Sequence, residues 1–188
     1  MHSASIPDEP HLATFVRAAE VCCAVIETHA SLAPAVALPR LHSALVRLYA
    51  AVLDLPAKDT LPDDEEPEPL RHTPQYALAS NERRDALGRD LARWLGDTDQ
   101  AHDVIDPYAP DAELIPVSLA QALVGIHQDL RAGLSTWATQ GLAYGVWHWR
   151  TFFEAHWNTH LGTALRALEA LARRDGGQWP LRSTSEDA

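Results

Sequence analysis

The densest chemistry in this chain lies in one stretch, Val146-Trp147-His148-Trp149-Arg150-Thr151-Phe152-Phe153-Glu154-Ala155-His156-Trp157-Asn158-Thr159-His160. His156 and His160 stand four apart, the helical spacing that can present two imidazoles to one metal ion. A third ligand would have to come from another helix, with His127 or His29 as candidates, and the glutamate that directly follows the first histidine of a zinc-protease helix is missing. Arg150 and Glu154 are also four apart, which as an exposed ion pair is worth a few tenths of a kcal/mol. The bland reading is a pair of core-edge histidines hydrogen-bonded to backbone or carboxylates, beside a surface ion pair. The sharper one gathers Arg150, Glu154, His156 and His160 into a polar pocket walled by Trp149 and Trp157. At about 100° per residue, with Phe153 at the centre of the buried stripe, Trp149, Trp157 and His160 fall within about 40° of it and His156 within about 60°. Both histidines are therefore expected to face inward, and His148, about 140° away by the same measure, drops out of any site shared with His160.

Other constellations are weaker. Asp97, Asp99, Asp103 and Asp106 invite a calcium reading, but no glycine occupies the sixth loop position and Tyr108 stands where the twelfth-position glutamate belongs. There is no Gly-rich phosphate loop, no G-x-S-x-G elbow and no CxxC pair. Cys22 and Cys23 are adjacent, about 100° apart on a helix, which suits small reduced hydrophobes better than a bridge. No cofactor is expected. The run holding Asp63, Asp64, Glu65, Glu66 and Glu68 is either a solvated connector or a docking surface for a basic protein partner, whose association it would accelerate.

These residues must be positioned by helices. Leu12, Phe15, Val16, Ala19, Cys22, Cys23 and Ile26 recur at spacings of three and four and predict a first helix from about Leu12 to Ala30. Pro34 and Pro39 punctuate a short connection. Leu41, Leu45, Leu48, Tyr49 and Val52 then predict a second helix ending by Leu55, before Pro56, folded back on the first as an antiparallel hairpin. Residues 56–79, acidic and proline-rich, read as an exposed loop. A third helix is expected over about Ser80 to Leu95, stopping near Gly96. Residues 97–116 read as an ordered irregular connection, after which Ser118, with Gln121 three later, opens a fourth helix running to about Thr139. The last and longest helix is expected from about Leu142 to Arg174, with residues 176–188 as a polar tail.

No segment shows sustained period-two alternation, and no internal repeat is visible. The expected fold is all-α: one domain over residues 1–175, a compact bundle of about five helices with the acidic loop as an excursion. The chain's 188 residues, 46% of them hydrophobic, suffice for a core without disulfides or a structural metal. The formal net charge is −11, and no Lys/Arg run exceeds Arg83-Arg84 or Arg173-Arg174, which argues against nucleic-acid binding. No uninterrupted apolar run of membrane-spanning length occurs, and the N-terminus lacks the basic and apolar regions of a signal peptide, so the cytoplasm is the expected location.

Ser118-Leu119-Ala120, Ile126-His127-Gln128-Asp129-Leu130-Arg131-Ala132-Gly133-Leu134, Val146-Trp147-His148-Trp149-Arg150 and Phe153 to His160, with Asp106-Pro107-Tyr108 upstream, together resemble a bacterial family, domain of unknown function 5063. The resemblance extends more loosely through Leu48-Tyr49 and the acidic loop, from about Phe15 to Leu171. It implies a helical fold and supplies no catalytic residue. Members of that family tend to carry an acidic residue where this chain has His148, a departure that weakens any role for His148. The expected function is a protein-binding module, monomer or homodimer, acting as an adaptor, regulator or immunity-type partner. The rival is a metal- or small-molecule-binding helical protein, with a hydrolase as one form of it, using the last-helix histidines and Glu154. Trp137 and Trp179 could serve either core or interface.

Overall fold

The first two helices show how the chain encodes its bundle. In the computed structural model, which describes residues 9–56, 74–104, 108 and 110–174 (only the backbone over 74–80), α1 spans Pro10–Glu27 and α2 spans Pro34–Leu53. The predicted stripe of α1, from Leu12 to Ile26, is buried and packs against Leu38, Leu41, Leu45, Leu48 and Val52 of α2. Pro34 begins α2, where its missing N–H costs nothing and its fixed φ suits the first turn. Pro39, expected in the connection, lies inside the helix, which gives up one backbone hydrogen bond while Leu38 and Leu41 stay buried.

The third helix, α3, spans Pro74–Leu95, starting six residues before the expected Ser80, and stops at Gly96, whose φ of 55° is easy only for glycine. Two short strands follow, β1 (Gln100–Val104) and β2 (Leu114–Ser118), paired antiparallel with Gln100 opposite Ser118 and Val104 opposite Leu114. This hairpin replaces the irregular connection expected over 97–116. Two buried or half-buried aspartates hold it. Asp99 Oδ1 accepts from the Ala120 amide (2.7 Å) and the Ser118 hydroxyl (2.9 Å), tying β1 to the start of the next helix. Asp103 accepts from Thr163 Oγ1 (2.6 Å) and from the Arg166 guanidinium, pinning β1 to the last helix. Of the aspartates that suggested calcium, Asp99 and Asp103 thus serve as hydrogen-bond hubs, and Asp106 lies outside the described residues.

The central helix, α4, spans Leu119–Gln140 and contacts α1, α3, α5 and α6. Its N-cap is Ser118, whose Oγ accepts from the Gln121 amide at 3.1 Å, as the spacing predicts. Gly141 (φ 104°) turns the chain into α5 (Leu142–Phe152), which runs without a break through a π turn (Phe153–Trp157) into α6 (Asn158–Arg174). Counted as one rod, these make five helices among the described residues, and with a single small hairpin the class is all-α.

The π turn has a sequence cause. Trp149, Phe153, Trp157 and Leu161 are spaced by four three times running, and each such step drifts about 40° on a 3.6-residue helix. One π turn absorbs an extra residue and holds them on one face, so Trp149, Trp157 and Leu161 are all fully buried. The other half of the packing comes from α4, where Gly125, Asp129 and Gly133 form a four-spaced stripe. A Cβ on Gly125 would lie 2.5 Å from the His160 ring, and one on Gly133 would collide with the Trp149 indole. Trp137 is half-buried with its ring 6.3 Å from Trp149, on the core side. Trp179, the tail 176–188 and the acidic residues 63–68 lie outside the described residues.

Candidate functional site

The π turn changes what the last helix can present. Trp149 and Trp157, expected to wall a pocket with the histidines, are fully buried in the core, and neither indole nitrogen has a hydrogen-bond partner among the described residues. The polar residues are dealt to different flanks. Arg150 reaches toward α2, where its Nη1 donates to the Val52 carbonyl at 3.3 Å, a favourable place for a cation at the end of that helix. Glu154 is exposed in the π turn. Among the described residues, Trp149, Arg150, Glu154, His156, Trp157 and His160 therefore do not gather into one pocket, because the extra residue of the π turn rotates the stretch off the uniform 100° on which that grouping rests. For the same reason the fully buried residue after Trp157 is Leu161, with His160 at the edge of the stripe, and His156, expected to face inward, keeps 48% of its side chain exposed.

The two histidines do come together, and they meet an aspartate that the helical spacing of the last helix could not supply. Asp129 of α4, its side chain only 10% exposed, accepts from His156 Nδ1 at 2.6 Å. His156 Nε2 lies 3.2 Å from His160 Nε2, with the rings edge to face. With the His156 proton on Nδ1, toward the carboxylate, its Nε2 is left as an acceptor, so His160 donates through Nε2–H. Burial pushes the Asp129 carboxyl above its usual range, against the lowering effect of His156. Burial, helped by the repulsion between the two rings if both were protonated, holds His160 below the ordinary imidazole value. The sequence signal for Asp129 was its position between Gly125 and Gly133, on a helix face otherwise made of Ile126, Leu130 and glycine.

His127, the expected third ligand, points elsewhere. Its Nε2 lies 2.7 Å from Glu27 Oε1, and Arg131 grips the same carboxylate through Nε (2.8 Å) and Nη2 (2.7 Å), joining α4 to α1. Burial pushes Glu27 up, but the hydrogen bonds from His127 and Arg131 outweigh it and leave the carboxyl below its usual range. His29 is buried on the α1–α2 connection with Nδ1 2.8 Å from the Ile26 carbonyl. Among the described residues no three His, Cys, Asp or Glu side chains cluster as a ready metal cage. His148 is half-buried, stacked on Phe152 (ring centroids 4.3 Å apart), with its Nε2 enclosed and without a partner among the described residues, and burial pushes its pKa down to about 4. Both cysteines are free and buried, and burial pushes the Cys23 thiol up to about 12.

A second feature is a groove of about 540 Å³ between α2 and α6, whose walls include Tyr49, Leu53, Phe153, Leu165, Arg166 and Glu169. Its α2 wall is unusual because α2 is apolar on both faces. Beyond its core stripe, the helix exposes Val46, Tyr49 and Leu53 at 46%, 45% and 56%. By length and mean hydropathy (1.3) α2 could cross a membrane, yet half of it is buried in the bundle, and the surplus apolarity lies on the outer face.

A crystal structure of protein BF1032 from Bacteroides fragilis is similar in fold, with a TM-score of 0.65 and 19% identity over 89% of this chain and 95% of that one. No curated protein matches the sequence. The model of a family described as domain of unknown function (DUF5063) matches residues 8–173, which include the Gly125-Asp129-Gly133 stripe and both histidines. The chain belongs to that family.

Proposed function

We propose that this protein is a non-enzymatic protein-binding module of the cytoplasm, which takes a basic segment carrying apolar anchor side chains into the groove between α2 and α6. The observation that carries this reading is the outward apolar row on α2. Tyr49 and Leu53 stand about half exposed beside a groove large enough for two or three side chains, and an apolar row rimmed by charge is the usual form of a helix-edge docking site. Charge selects the occupant. A net charge of −11, to which Asp63, Asp64, Glu65, Glu66 and Glu68 contribute, attracts a basic partner and repels anionic lipid or nucleic acid. At the rim the Arg166 guanidinium is neutralised by Asp103, and the half-exposed Glu169 carboxylate lies 4.0 Å from Arg173 Nη1 and 3.9 Å from His42 Nε2.

The test is native mass spectrometry of untagged wild type and Leu53→Glu isolated gently from the host. A stoichiometric basic protein on the wild type, lost from a Leu53→Glu variant that still melts cooperatively, supports the reading. A wild type that always flies without a protein partner refutes it, as does a partner retained by the variant. Leu53-dependent binding to anionic vesicles would also overturn it, by assigning the groove to a membrane.

A further inference from the structure

We infer that His156 and His160 together bind one divalent late first-row transition-metal ion, of which zinc is the type, through their two Nε2 atoms, with Asp129 orienting His156 from behind. The separation of the donor atoms favours this. Two nitrogens at 2.0–2.1 Å from one tetrahedral ion lie about 3.3 Å apart, and the two Nε2 atoms already stand 3.2 Å apart. Asp129 completes the pattern in which a metal-bound imidazole passes its other N–H to a carboxylate, which fixes the tautomer and raises ligand basicity. A surface histidine needs no such support, whereas this carboxylate is taken out of water to hold one imidazole edge-on.

The surroundings fit as well. His160 comes this close to α4 only because residue 125 is glycine, and the half-exposed His156 leaves the ion a path from solvent. Imidazole nitrogens suit zinc, copper and nickel over magnesium or calcium, which take oxygen ligands. On binding, the ion takes the place of the His160 Nε2 proton, which moves to Nδ1 of that ring. Two protein ligands leave the remaining positions to water or to an exogenous donor. Neither histidine nor Asp129 lines the groove between α2 and α6, so either can fail without the other.

The test is calorimetric titration of chelator-stripped, untagged protein with Zn²⁺, then with Cu²⁺ and Mg²⁺. One equivalent of Zn²⁺ is expected to bind and to raise the melting temperature, with Mg²⁺ giving neither effect. His156→Gln and His160→Gln should each abolish the saturable phase, Asp129→Asn should weaken it about 10- to 100-fold, and His127→Gln should leave it unchanged. Should the histidine variants fold poorly, the wild type still decides: Zn²⁺ must protect His156 and His160 from diethylpyrocarbonate. No one-equivalent phase, a phase that survives both histidine substitutions, or no protection of these two rings would overturn the assignment.

Discussion

His148 is a built-in acid liability whose cost can be worked out. Its ring is stacked on Phe152, Nε2 is enclosed without a partner among the described residues, and burial lowers its pKa from 6.5 to about 4. Below pH 6.5 the unfolded chain takes up a proton that the folded chain refuses, so stability is fully present above 6.5 and is lost as the pH falls. The loss begins at the unfolded pKa and is complete once the pH passes below the folded one, reaching about 3 kcal/mol at 1.36 kcal/mol per pH unit. By pH 5 it is already about 2 kcal/mol. Replacing the imidazole with an apolar side chain, His148→Leu, removes this contribution and leaves every other titrating group in place. Urea unfolding of wild type and variant at pH 7.5 and pH 5, compared at equal m-values, should show the wild type losing about 2 kcal/mol more than the variant. Equal losses would refute the reasoning, because they would mean that the ring can be protonated in place without cost.

Asp99→Ala removes the acceptor for the Ala120 amide and the Ser118 hydroxyl at a buried position, and is expected to cost about 1–3 kcal/mol in thermal or urea unfolding. Gly125→Ala places a methyl group 2.5 Å from the His160 ring; a destabilisation of about 1–3 kcal/mol is expected, and in calorimetry the variant should also bind Zn²⁺ more weakly. For Asp103, burial raises the carboxyl but hydrogen bonds from Arg166, Thr163 and the Val104 amide outweigh it, leaving it below 3.8. The stability it adds is therefore present above that value and lost as the pH falls below it, and acid titration of Asp103→Asn should show a shallower loss under pH 4. Cys22 and Cys23 are buried, with both thiols pushed well above their ordinary value, so a thiol reagent at pH 8 should label neither until denaturant is added.

Much of this protein is decided locally. The 3.6-residue periodicity of α1, the Ser118 cap with its Gln121 amide, the stop at Gly96 and the long rod from Leu142 to Arg174 follow from apolar spacing and backbone preference, which act within a few residues and so can be read along the chain. The hairpin over 100–118 could not be read this way. Its strands alternate weakly and owe their place to Asp99 and Asp103, whose partners lie 19 to 63 residues away. The histidine site divides along the same line. The four-residue spacing of His156 and His160 is a sequence fact, but which face they occupy depends on the π turn, and the π turn exists because Trp149, Trp157 and Leu161 must all be buried at once. Asp129 joins them only because Gly125 and Gly133 let two helices come within side-chain contact. Spacing along one helix sets which residues can meet on that helix; what they meet on another depends on how closely the two backbones pack, and that is a property of the assembled core.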